Sequence, residues 1–152
     1  MSDLKLSHIG SDNRPEMVDV SHKSNQLRTA TAKGFISLSS ETVALISDNK
    51  MKKGNVMITA EIAGIQAAKR THELIPLCHV LNLSKVGVKA TLLDDGAEVV
   101  AVARCIGNTG VEMEALTGVS TALLTIYDMC KAVDKHMVLS GIELLEKTKE
   151  DL

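Results

Sequence analysis

Aromatic side chains are almost missing from this sequence: its 152 residues include one phenylalanine, Phe35, one tyrosine, Tyr127, and no tryptophan. That scarcity excludes a nucleic-acid module that stacks bases on two or three aromatic platforms, and an aromatic cage for a quaternary ammonium ion. A surplus of either charge is missing too. Lys and Arg number 17 against 19 Asp and Glu, a formal net charge of -2, so the global basic field of a nonspecific nucleic-acid binder is absent. No apolar run approaches the ~20 residues of a membrane span. The polar start MSDLKLSHIGSDNRPE lacks the apolar core of a signal peptide. Cysteine is scarce: Cys78, Cys105 and Cys130 are odd in number and sit in apolar stretches, which reads as reduced thiols in a cytoplasmic protein. The composition is 45% hydrophobic and 24% charged, that of a water-soluble globular domain. Its core must be built from Leu, Ile, Val, Ala and Met.

The pattern along the chain predicts one domain. Residues 1–16 are rich in Ser, Asp, Asn and Gly and are expected to form a flexible N-terminal arm, leaving 17–152 as a single α+β domain. Arg28 to Leu38 has small and β-branched residues in alternation and predicts a strand. Ser39 or Ser40 can cap a short helix over ETVALISDN. After Lys52-Lys53-Gly54-Asn55 a second helix is predicted through Arg70, with Val56, Ile58, Ile62, Ile65 and Ala68 as its apolar positions. LNLSKVGVKATLL then alternates, first on Leu81, Leu83 and Lys85 and afterwards on Val86 and Val88. Asp94-Asp95-Gly96 signals a turn into a hairpin partner, AEVVAVARCI. Val111 to Val133 is the longest predicted helix, and HMVLSGIELLEK is a closing strand followed by an acidic tail. The order β-α-α-β-β-α-β is that of a ferredoxin-like antiparallel sheet covered by helices.

Polar residues inside these apolar elements are the candidates for chemistry. Asp128 and Lys131 are three apart on the last helix and project from one face. A surface ion pair explains them; a lysine tuned as a general acid by a neighbouring carboxylate is the sharper alternative. Cys78-His79 falls after Pro76 at a helix-to-strand junction, where either a buried structural pair or a ligand-contacting histidine fits. No spacing there suits zinc. Lys52-Lys53-Gly54 precedes a helix N-terminus and can meet a phosphate or simply be a solvated turn. Glu112, Met113 and Glu114 open the long helix, where acidic side chains stabilise the helix dipole whatever else they do. No nucleotide-binding glycine fingerprint or nucleophile elbow is present.

Six strings in order carry a resemblance: MVDVS (17–21), KKGNV (52–56), IAGIQAAKRT (62–71), LIPLCH (74–79), NTGVEMEALT (108–117) and TIYDMCKAV (125–133). In these the chain resembles the MoaC family of cyclic pyranopterin monophosphate synthases, enzymes of molybdenum-cofactor biosynthesis. The resemblance implies a ferredoxin-like catalytic domain assembled as a hexamer, a trimer of dimers. It implies conversion of 3′,8-cyclo-7,8-dihydroguanosine 5′-triphosphate, supplied by an upstream radical enzyme that is a candidate partner, to cyclic pyranopterin monophosphate and pyrophosphate. Asp128, Lys131 and Lys53 are then the catalytic residues. Leu77, Cys78, His79, Glu112, Met113 and Glu114 line the substrate site, with Arg28 and Lys69 adding positive charge for the triphosphate. His79 joins Asp128 and Lys131 as a candidate for proton transfer, and the lysines stabilise charge on the phosphoryl groups. No cofactor is evident; a divalent metal ion escorting the triphosphate is left open.

Three positions depart from the family pattern. Val80 stands where proline is usual, Asn108 where a basic residue is usual, and the Gly/Lys/Ser-rich tail is replaced by EKTKEDL. The substitution at 108 removes one candidate phosphate contact. Two rivals from other classes are a noncatalytic nucleotide sensor, which has no use for Asp128 beside Lys131, and a nucleotide phosphohydrolase, which needs a metal-binding carboxylate cluster.

Overall fold

The computed structural model describes residues 8–152. Of the expected arm, residues 1–7 lie outside the described residues. Residues 8–16 fold back on themselves, with Ile9 bridging Pro15 and Gly10 N–H donating to the Arg14 carbonyl at 2.9 Å.

Eight elements follow in order: β1 (Gln26–Ser37), α1 (Ser40–Ser47), α2 (Val56–Ala68), α3 (Thr71–Leu74), β2 (Leu83–Leu93), β3 (Gly96–Gly107), α4 (Glu112–Cys130) and β4 (Leu139–Glu150). The four strands form one antiparallel sheet in the order β2-β3-β1-β4, the ferredoxin-like α+β arrangement that the pattern predicts. Local chemistry explains each boundary. Ser39 caps α1, its hydroxyl accepting from Thr42 N–H at 3.2 Å, and Asn55 caps α2 by accepting from Ile58 N–H at 2.9 Å. The shift in alternation between Lys85 and Val86 marks a real irregularity. The β2–β3 register slips between Leu83 and Lys85, leaving Ser84 as an extra residue whose hydroxyl donates to the Arg104 carbonyl at 3.2 Å.

One face of the sheet carries α2 and α4. Ala30, Ala32 and Ile36 of β1 and Val99, Ala101 and Ala103 of β3 point to it and are at most 1% exposed. They meet Val119, Leu123 and Ile126 of α4, all fully buried. With so many alanines on the sheet the helices come close. Gly64 of α2 and Gly118 of α4 make this contact: a Cβ at position 64 would lie 2.8 Å from the Gly118 carbonyl oxygen.

That contact corrects one expectation. The apolar face of α2 was predicted to include Ile58 and Ile62, yet these are 54% and 53% exposed, while Val56, Ala60, Gly64, Ala67 and Ala68 are buried. Close helix packing selects the small residues at i, i+4 spacing and turns the larger isoleucines outward. Two further boundaries differ. The predicted second helix ends at Ala68 and a separate turn, α3, follows. The acidic tail is not a tail, because β4 runs to Glu150, with Glu150 paired to Leu27 of β1.

Candidate active site

Most of the candidate site residues fall into two groups at opposite ends of α4. At its C-terminal end, Asp128 lies between two lysines. Lys131 Nζ is 2.7 Å from one carboxylate oxygen and Lys53 Nζ is 2.8 Å from the other. Lys53 Nζ also donates to the Asp128 main-chain carbonyl at 3.1 Å. The Lys53 contact spans 75 residues of sequence and is set up by the turn before α2, where Gly54 takes a φ of 94° that favours glycine. The α4 end is fixed from the other side. Asp134, 5% exposed, accepts from Ser39 N–H at 2.8 Å and from His136 N–H at 3.2 Å, tying the turn after α4 to the start of α1.

The electrostatics follow from these contacts. The hydrogen bonds from Lys131 and then Lys53 hold the Asp128 carboxyl down at about 2. The same carboxylate raises the Lys131 ammonium above its ordinary value. All three side chains are roughly half exposed, so the arrangement is a hydrated ion triad, with acceptor and donors already in hydrogen-bond contact.

At the N-terminal end of α4 lies a cleft of about 420 Å³ lined by Leu77, Cys78, His79, Glu112, Met113 and Glu114. Six of the residues expected at the site therefore line one cleft. Glu114 is 4% exposed, and burial, with the nearby Glu112 charge, pushes its carboxyl up from the ordinary value despite a bond to its own backbone N–H. Burial and then the Glu114 charge raise the Cys78 thiol, which keeps the sulfur protonated and unsuited to attack as a thiolate. His79 Nε2 lies 2.7 Å from the Val18 carbonyl. Because a carbonyl can only accept, Nε2 is the donor in this contact, which leaves Nδ1 as the ring nitrogen not engaged by Val18.

Beside this cleft is a smaller one of about 270 Å³ formed by Arg28, Lys147, Lys149 and Glu112. Arg28 contributes a buried Nε without a hydrogen-bond partner among the described residues. Lys147 Nζ pairs with Glu112 at 3.0 Å. These two lysines were missed in the sequence because the chain there reads as a tail; their two-residue spacing on a strand was the available signal. Lys69 stands apart as the exposed C-cap of α2 and lines neither cleft.

Neither Phe35 nor Tyr127 lines the two clefts, so a ring bound there would meet Met113, Cys78 and carboxylates. Asp128 and Glu114 are 14 residues apart on one helix, about 21 Å along its axis. Within one chain the triad and the cleft therefore do not border one cavity.

A ferredoxin-like domain with a lysine-bracketed carboxylate, a carboxylate-lined cleft and adjoining cations carries the groups that acid–base chemistry on a small anionic molecule requires. A family model described as the MoaC family matches residues 17–150. The chain is 48% identical over 145 residues to a cyclic pyranopterin monophosphate synthase of Peptoclostridium acidaminophilum, covering 95% of this chain and 92% of that protein. It is 52% identical to the protein of the same name from Chloroflexus aurantiacus, covering 94% of this chain and 89% of the relative. The protein belongs to the MoaC family.

Proposed function

We propose that this protein is a cyclic pyranopterin monophosphate synthase, a lyase of molybdenum-cofactor biosynthesis. It converts 3′,8-cyclo-7,8-dihydroguanosine 5′-triphosphate to cyclic pyranopterin monophosphate and pyrophosphate. Residues 17–152 act as its single catalytic domain. The observation that carries this reading is Asp128 bridged by Lys53 and Lys131 in a chain of this family. Rearranging a guanine-derived ring to a pterin moves protons repeatedly without net oxidation, and a carboxylate already hydrogen-bonded to two ammonium groups supplies both partners of such transfers. Asp128, Lys131 and Lys53 are the catalytic residues. Leu77, Cys78, His79, Glu112, Met113 and Glu114 hold the ring system, while Arg28 and Lys147 face the phosphates. Lys69, outside both clefts, is at most a remote contributor of charge.

The active site is formed between two subunits, the triad of one facing the cleft of the next. The separation of the two groups along α4 supports this, because one substrate cannot touch both ends of a helix. Exposed Ile58, Ile62, Leu124 and Leu74 supply apolar surface for such an assembly, which we take to be a hexamer built as a trimer of dimers. The three cysteines are free thiols, in keeping with a reducing, cytoplasmic setting. Among the described residues no helix is long and apolar enough to cross a membrane.

The test is an assay with the cyclised GTP intermediate, following pterin and pyrophosphate together. Wild-type protein is expected to form both. Asp128→Asn and Lys131→Ala are each expected to lose on the order of 10²-fold or more in kcat with the fold retained. No product from wild type, or full activity in either variant, would overturn the assignment.

A further inference from the structure

The segment Met17–Ser21 separates two hollows. On one side Val18 and Val20 line the cleft that holds Cys78, Met113 and Glu114. On the other the same segment lines a hollow of about 490 Å³ with Val80, Leu81 and Asn108. Residues 16–20 belong to no helix or strand, so this strap depends on side chains from elsewhere. Two hold it. His79 Nε2 donates to the Val18 carbonyl at 2.7 Å, and Asn108 Nδ2 donates to the Val20 carbonyl at 2.9 Å.

The Val20 carbonyl accepts a second bond, from the Lys23 N–H at 3.0 Å. One oxygen thus receives both the Asn108 amide and the backbone of the turn that brings Lys23 to the cleft wall. Asp19 stiffens the same turn by accepting from Ser21 N–H at 2.8 Å. The same cleft is lined by Glu114 and by Glu112, of which only Glu112 has a lysine partner, Lys147 at 3.0 Å, and an ionised Glu114 would repel an anionic ligand. A lysine there offsets that repulsion.

We propose that Lys23 is a ligand-contacting cation of the cleft, and that Asn108, together with His79, is the positioning residue that holds it there through the Met17–Ser21 strap. This rests on the cleft being half of the synthase site. Position 108 is then not a lost phosphate contact; its amide acts at one remove, by fixing the carbonyl from which the Lys23 turn hangs.

The experiment compares Lys23→Ala, Asn108→Leu and the double variant in steady-state turnover of the cyclised GTP intermediate, with GTP binding by calorimetry as a second readout. Losing one such contact is expected to raise KM about fivefold in each single variant, with kcat within about twofold of wild type. Because Asn108 acts through Lys23, the double variant is expected to be no worse than Lys23→Ala alone. An unchanged KM in Lys23→Ala, or a double variant whose losses multiply, overturns the proposal. Lys23 is exposed, so its variant tests the idea even if Asn108→Leu fails to fold. A wild-type protein that turns nothing over removes the synthase reading instead. GTP titration then still decides on Lys23: about fivefold weaker binding in Lys23→Ala supports the contact, and unchanged binding overturns it.

Discussion

Asp128 and Glu114 are carboxyl groups on the same helix whose surroundings drive their proton affinities in opposite directions. Two ammonium groups keep Asp128 ionised down to about 2, whereas burial makes ionisation of Glu114 costly. The stability consequence can be signed. A carboxyl whose folded-state affinity for its proton is raised binds more protons folded than unfolded above its ordinary value of 4.5, so stability falls as pH rises through that region. Glu114→Gln removes the ionisation and keeps the shape. Urea denaturation is expected to find this variant more stable than wild type at pH 7, with the difference closing as pH falls through 4.5. A variant less stable at pH 7 would mean that the ionised carboxylate is itself held favourably. The candidate residues themselves were legible in the sequence, because polar side chains embedded in apolar strings stand out. Which of them would be charged was not, since that depends on Lys53 arriving from 75 residues away.

Strand types and order were equally legible, and the change in alternation along β2 accompanies the irregularity at Ser84. The four-residue α3 was not legible, because its residues continue the apolar spacing of α2. The face of α2 was not. Hydrophobicity ranks Ile58 and Ile62 above Gly64 and Ala60, but the backbone of α4 approaches so closely that only small side chains fit between the helices. Gly64→Ala tests this directly. In a free helix the exchange gains ~1 kcal/mol. Here the added methyl would sit 2.8 Å from the Gly118 carbonyl oxygen and 3.0 Å from a Val88 methyl, and overpacking of this kind costs ~1–3 kcal/mol. A net loss of stability is therefore expected on chemical denaturation, and a net gain would show that α2 and α4 can part without penalty. The end of β4 was misread for a related reason. EKTKEDL is polar enough to pass for a solvated tail, yet Lys147 and Lys149 pair with Ala30 and Arg28 along β1, and that pairing carries two cations to the cleft beside α4.

At the scale of the whole molecule, the lysine-bracketed carboxylate and the carboxylate-lined cleft lie at opposite ends of α4. The turn after the triad is tied to α1 through Asp134 and Ser39, and the cleft is bordered by a segment whose Val18 and Val20 carbonyls accept from His79 and Asn108. The rigid length of α4 keeps these ends about 21 Å apart. Sequence order cannot reveal this, because motifs next to one another in the chain, NTGVEMEALT and TIYDMCKAV, lie at the two ends of the same helix. The scarcity of aromatics fits the same plan, with neither ring lining the clefts. Subunit mixing tests the shared site most directly. Asp128→Asn disables the triad and Glu114→Ala disables the cleft, and each protein alone is expected to be inactive. After subunit exchange, verified by native mass spectrometry, an equal mixture is expected to recover about one quarter of wild-type activity, because random pairing in two-fold dimers leaves about that fraction of sites with both halves intact. Exchange without any recovery, or full activity in Glu114→Ala alone, would contradict a site shared between subunits.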